Sequence, residues 1–189
     1  MDDRTLQIKD ATRTLHDNLE SLPFNVKMFK GDQTIQERAT YLKNNLKIFN
    51  ILDDHVPADF RRSTSIRNDY LWLVDQQHKH APPLPLSPPV LDAYTTYLRE
   101  VCDSFTLRPH IYLNYMGFMY GGQIMAKRYP NASSMYKFTD IEEKRQYIRT
   151  AICEDYNSPH YRSFVDEVKL GFKFHIAISR SLGEMFHVE

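Results

Sequence analysis

Three glycines fall inside a stretch that otherwise reads as helix: Gly117, Gly121 and Gly122, in the run Tyr115-Met116-Gly117-Phe118-Met119-Tyr120-Gly121-Gly122-Gln123. The whole chain has six glycines, so half of them sit in one turn and a half. Each glycine in a helix interior costs about 1 kcal/mol relative to alanine. Something must therefore require bare backbone here. Gly117 and Gly121 are four residues apart and share a helix face. Two arrangements satisfy this: small residues that let helices pack closely, or a flat ligand lying directly on the backbone. Spacing alone leaves both open.

Helical periodicity dominates the rest of the chain, with no repeats and no hairpin signals. Ile8, Ala11, Leu15, Leu19 and Leu22 recur at three- and four-residue steps, and Pro23 should end that first helix. Thr34 and Glu37 have the spacing of a capping box, opening a helix whose stripe is Leu42, Leu46, Phe49 and Leu52 and which stops before Pro57. A third helix is expected from Ser63 to Gln77, with Leu71, Trp72 and Val74. Residues 81–90 carry five prolines and read as an extended surface connector, not a domain boundary. Further helices are expected over Leu91 to Asp103, Arg108 to Tyr129, and Asp140 to Cys153. Ser158 and Pro159 read as an N-cap and first-turn proline for a last helix, with the stripe Tyr161, Phe164, Val168, Phe172, His175 and Ser179. The expectation is an all-α, single-domain bundle of seven or eight helices spanning residues 1–189.

At 189 residues the chain can bury a real core. Its formal net charge of zero argues against nucleic-acid binding driven by bulk charge. No apolar run is long enough to span a membrane, and the N-terminus opens with Asp2, Asp3 and Arg4, not with an apolar signal core. A cytoplasmic protein is expected. Cys102 and Cys153 are too few for a disulfide framework or a zinc site. Twelve Tyr and eleven Phe suit a protein lining an apolar pocket, or any aromatic core.

Few residues could carry chemistry. His16 lies beside the apolar stripe of the first helix, and Lys9 lies seven residues earlier on nearly the same face. Such a histidine is either a half-exposed surface residue or a metal ligand. Lys169 and Lys173, at i, i+4 on the last helix, form either a solvated basic edge or a pair of cations for an anionic group. Taken together these features describe a ligand with an axial nitrogen, a flat apolar body on bare backbone, and carboxylates reaching cations. Heme b has those properties, with His16 on iron and the propionates on lysines.

At these residues the chain resembles the heme oxygenases. The stretch Ile8-Lys9-Asp10-Ala11-Thr12-Arg13-Thr14-Leu15-His16 resembles the family's proximal helix. Tyr112 to Lys127 resembles its distal helix, with the Gly-x-x-x-Gly-Gly-Gln core, and Glu167-Val168-Lys169 with Lys173 is similar to its C-terminal helix. The compact length resembles soluble bacterial, cyanobacterial and cyanophage-type members. The resemblance implies an all-helical fold with heme clamped between proximal and distal helices. Heme is then both cofactor and substrate. O2 meets the iron opposite His16 and, with electrons and protons, the porphyrin is cut at its own meso edge. The products implied are biliverdin, of the IXα isomer by family default, CO and ferrous iron, with ferredoxin or another reductase as donor and pigment synthesis as the setting. By the same resemblance Gly117, Gly121 and Gly122 crowd oxygen towards one edge. Lys9, Tyr112, Lys169 and Lys173 hold the propionates, and Phe172 lies along the heme.

Three positions depart from the family pattern. Phe118 stands where the family commonly has Asp, Phe49 where it has a distal-side Tyr, and Asn114 where it has Arg. The apparatus that protonates bound oxygen is thinned there, which leaves Asn114, Tyr115, Tyr120 or backbone near Gly117 to hold waters. Phe118 favours an alternative function, a heme-binding protein of the same fold with weak or no turnover. A third reading keeps the architecture for another small molecule, as relatives of thiamine-degrading enzymes do.

Overall fold

Among the residues described by the computed structural model, 3–76 and 85–188, every regular element is helical. Helix α1 (Asp3–Ser21) buries Ile8 and Thr12, with Leu15 and Leu19 packed on the core, so its inner stripe passes through Thr12 and leaves Ala11 exposed. The Thr12 hydroxyl is satisfied by donating to the Ile8 carbonyl at 2.8 Å. Pro23 does more than stop this helix. It is the first residue of α2 (Pro23–Lys30), where a missing N–H removes nothing a helix needs. Gly31 then takes φ +86° and caps α2, a conformation that favours glycine.

Helix α3 (Ile35–Leu52) opens with the expected capping box: the Thr34 side chain accepts from the Glu37 N–H, and Glu37 accepts from the Thr34 N–H at 2.6 Å. Glu37 also takes an ion pair from Lys27 at 2.7 Å, tying α2 to α3. Helix α4 (Ser63–Gln76) packs on α3 and buries Ile66, Asp69 and Leu73. Leu71, Trp72 and Val74, expected as its apolar residues, are exposed instead. Of the proline-rich connector, residues 81–84 lie outside the described residues. Residues 85–88 are irregular, and Pro89 already begins α5 (Pro89–Thr96).

Helix α6 (Leu107–Arg128) contains all three glycines of the central run. Helix α7 (Ile141–Tyr147) is short, and α8 (Tyr161–Met185) closes the chain. Both α5 and α7 end in a wide π turn, Tyr97–Val101 and Ile148–Ile152, so neither expected helix runs as one continuous α-helix. Ser158 and Pro159 do not cap α8: its N-cap is His160, whose N–H donates to the Ser158 hydroxyl at 3.1 Å in the preceding turn.

α8 is the spine. It packs against α1, α2, α5 and α6, whereas α1 and α6 scarcely touch one another. Each is therefore carried by α8, with a gap in contact between them. No helix among the described residues is long and apolar enough to cross a membrane. Neither Cys102 nor Cys153 is in a disulfide; Cys153 is buried and Cys102 partly so.

Candidate functional site

The helical step of about 100° per residue divides α6 into two faces. Gly117 and Gly121 lie about 40° apart, and a Cβ added to either meets nothing within 4 Å. Their backbone is bare and open. Gly122 is turned about 100° further round, and a Cβ there would lie 2.4 Å from Tyr136 Cδ1. The structure thus does not bring Gly122 to the open surface; it lets Tyr136 pack against the helix. Tyr136 is fixed in turn by the buried Arg38, which donates to its hydroxyl at 3.2 Å and lies over its ring. Gly122 therefore serves close packing, while Gly117 and Gly121 leave the backbone bare.

Phe118 points with Gly122 into the core. It is 6% exposed, stacks on Phe49, and meets the Tyr136 ring edge-on. Tyr115 is also turned inward, and its hydroxyl donates to Asp53 at 2.5 Å. Burial and that carboxylate push the Tyr115 phenol well above its ordinary range. Asp53 further accepts the N–H groups of Arg62 and Ser63, so it anchors the start of α4. Asn114 is buried and donates to the His110 carbonyl at 2.8 Å.

On α1, His16 and Lys9 project on one flank, about 80° and 100° round from Ile8. The His16 side chain is 54% exposed, with Nε2 3.6 Å from Glu20 Oε1 and Nδ1 3.9 Å from Asp17 Oδ1. Its ring meets the edge of Phe172 of α8, centroids 6.0 Å apart. Phe172 itself is 5% exposed, so it forms the floor between the two helices. Lys9 is exposed. Among the described residues no group of three or more His, Cys, Asp or Glu is arranged to hold a metal ion. A metal at His16 must then bring its other ligands with it, as a porphyrin does.

Two arginines lie by Tyr120. Arg145 of α7 lies over the Tyr120 ring at 4.0 Å, donates to the Met119 carbonyl and pairs with Glu142; Arg149 of the following π turn donates to the Tyr120 hydroxyl. Tyr120 adjoins Gly121. Tyr112 belongs to the same neighbourhood, its phenol raised by burial and by Cys153, Tyr120 and Tyr161, and lowered by Arg149. Lys169 instead pairs with Asp166 at 3.7 Å, and Lys173 is exposed. Both lie beyond Phe172 on α8, on the side away from α6.

A buried polar array lies where α6 passes under α8. Glu167 accepts from the Tyr97 hydroxyl at 2.9 Å and pairs with His110 Nε2 at 3.2 Å. His110 Nδ1 is 3.0 Å from the Tyr94 hydroxyl. The hydrogen bond from His110 holds the Glu167 carboxyl below its ordinary range, and burial pushes both phenols up. Gly171 makes room for this: a Cβ there would lie 2.7 Å from Leu113 and 3.1 Å from His110 Nδ1. The sequence alone does not reveal this array, though it holds one signal for it. His110, Asn114, Gly117 and Gly121 succeed one another at steps of four, three and four, which is one face of α6.

These parts fit heme: an exposed imidazole on α1, open glycine backbone on α6, an aromatic floor on α8 and guanidinium groups at one edge. A model of the heme oxygenase family matches residues 3–180. A heme oxygenase of Rhodella violacea is 23% identical, covering 96% of this chain and 87% of its own length. Among solved structures, heme oxygenase-1 from the cyanobacterium Synechocystis sp. PCC6803 in complex with heme has a TM-score of 0.80 at 18% identity, over 96% of this chain and 93% of that one. Heme oxygenase from Leptospira interrogans has a TM-score of 0.77 at 20% identity, over 96% of this chain and 100% of that one. Those structures share the fold, and the family match spans nearly all of the sequence: the chain belongs to the heme oxygenase family.

Proposed function

We propose that this protein cleaves heme b oxidatively to biliverdin, CO and ferrous iron, with the heme lying in the gap between α1 and α6. The observation that carries the reading is the open backbone at Gly117 and Gly121 on a helix that shares its support, α8, with the exposed His16. Heme supplies the iron that activates O2 and the meso carbon that is attacked. His16 holds the iron through an imidazole nitrogen, and its contact with Phe172 limits how the ring turns. Gly117 and Gly121 let the α6 backbone approach the porphyrin face, where any side chain would fill the space. Lys9 and Tyr112 bind propionate oxygens. Arg145 and Arg149, fixed on Tyr120, take the role assigned by resemblance to Lys169 and Lys173, because they stand beside the bare backbone. A propionate held there sets heme rotation and hence the edge that is cut, the IXα edge by family default. A reduced ferredoxin or another reductase supplies electrons, and the product serves pigment synthesis.

Single-turnover spectroscopy tests this. One equivalent of hemin is added in air with ferredoxin, its reductase and ascorbate. Decay of the Soret band with growth of the broad biliverdin absorption is expected. One observation favours a second reading: the Phe118–Phe49 stack leaves neither a carboxylate nor a hydroxyl at those two positions. A protein that holds hemin unchanged under reducing conditions would be a heme carrier of this fold.

A further inference from the structure

His175 has no part in the chemistry assigned to His16, the glycines and the arginines, yet its Nε2 is buried and has no hydrogen-bond partner within the protein. A buried imidazole nitrogen left unpaired is unfavourable and calls for a function. Its direction is set by α8. Glu167 and Gly171 mark the side of α8 that meets α6, through the Glu167–His110 pair and the close approach of Gly171 to His110. Phe172 marks the side that meets His16 of α1. His175 lies about 40° round from Gly171 and about 60° short of Phe172. Its place on α8 therefore lies between the sides that meet α6 and α1.

The groups around it are identified. Tyr94 of α5 presents its ring face to the His175 ring, centroids 5.6 Å apart at 73°. His110 of α6 is the titratable neighbour, itself tied to Glu167 and to the Tyr94 hydroxyl. Phe174 also stacks on Tyr94, at 4.7 Å. Tyr94 is thus locked by a hydrogen bond and a stack, and His175 rests against a fixed surface.

We propose that His175 is the polar residue of the α6 side of the cleft, aiming Nε2 at the small ligand or water that occupies the heme face opposite His16. This rests on the heme-cleaving function proposed for the cleft. It gives the chain a hydrogen-bonding group from α8 in place of those that Phe118 and Phe49 do not provide. His175 acts here as a positioning residue: it orients the molecule on that face, and Glu167, His110 and Tyr94 hold His175.

The experiment uses the full chain loaded with hemin, reduced, and given carbon monoxide as the probe. In His175→Leu the C–O stretch moves to higher frequency, and dissociation of O2 from the reduced complex speeds up by about tenfold, the size of one net hydrogen bond. His175→Asn retains an amide donor and recovers most of both effects. Hemin affinity stays within about threefold of wild type, since His16 is untouched. An unchanged stretch and an unchanged dissociation rate in His175→Leu overturn the proposal. Should that variant not fold, nitrogen-15 spectra of the wild-type histidines decide: the His175 resonance shifts when carbon monoxide binds, and a fixed resonance overturns the proposal. None of these readouts needs turnover. A wild type that takes up hemin but makes no biliverdin sinks the heme-cleaving reading alone, whereas a wild type that takes up no hemin sinks both.

Discussion

Phe118 lies nearly face to face on Phe49, ring centroids 4.4 Å apart and planes 26° from parallel. Two of the three positions that depart from the family pattern are therefore one packed unit, not two separate losses. Phe118→Asp places a carboxylate between aromatic rings with no partner. It should lower the unfolding free energy by about 3–5 kcal/mol and not accelerate turnover. Adding Phe49→Tyr should return about 1 kcal/mol through a hydroxyl–carboxylate bond. Urea unfolding of the single and double variants checks both.

The glycines should separate cleanly by readout. Gly122→Ala drives a methyl into Tyr136 and should destabilise by about 1–3 kcal/mol. Gly121→Ala meets open space and should raise stability by up to about 1 kcal/mol, while weakening hemin binding. Thermal unfolding paired with hemin titration distinguishes them. Equal stability losses would mean that both serve packing.

His16→Ala should abolish the nitrogen-ligated heme spectrum with little change in folding, since the side chain is half exposed. An identical spectrum in the variant removes His16 as ligand.

Arg149→Ala should lower hemin affinity by about tenfold, the loss of a charge-assisted contact, and turn a single biliverdin isomer into a mixture. Lys169→Ala with Lys173→Ala should leave the isomer unchanged. Chromatography of the products reads both, and the opposite pattern would move the anion contacts to α8.

Burial and the neighbouring His110 lower the pKa of His175 from 6.5 to about 4. Between those values the unfolded chain binds a proton that the native protein refuses, so stability falls as pH drops from 6.5 towards 4 and this contribution changes no further below that. A few kcal/mol are at stake. His175→Asn should flatten the decline in that window. The carboxylate of Glu167, held low by His110, adds a loss at still lower pH. Denaturant midpoints across pH 4–7 in wild type and variant measure the difference.

The features legible in the sequence are local ones. Thr34 and Glu37 cap α3 through atoms three residues apart, and the glycine spacing shows that bare backbone is needed. Burial on α4 is not local. Asp69 is inside because its carboxylate accepts from Ser134 and from the Met135 N–H, residues far along the chain, while Leu71 and Trp72 are left outside. Which glycine faces open space depends on Tyr136 and Arg38, again remote in sequence. His16 stands out by its place beside a stripe. His110 and Glu167 do not, because a partly buried His–Glu hydrogen bond is two ordinary surface residue types until the helices cross.

Tyr97 and Arg149 share an unusual origin. Each belongs to a π turn that ends a shorter helix, and each reaches a neighbour across the fold, Glu167 in one case and Tyr120 in the other. A π turn carries one residue more than the α turn it replaces, and so shifts the phase of the residues after it by about 100°. Insertions and deletions, more than substitutions, are then the changes these two turns resist. Removing one residue from 97–101 or 148–152 leaves composition and charge almost untouched but swings the side chain away from its neighbour. Related sequences that differ in length at these turns should differ in how they grip the ligand, even where every residue type is kept.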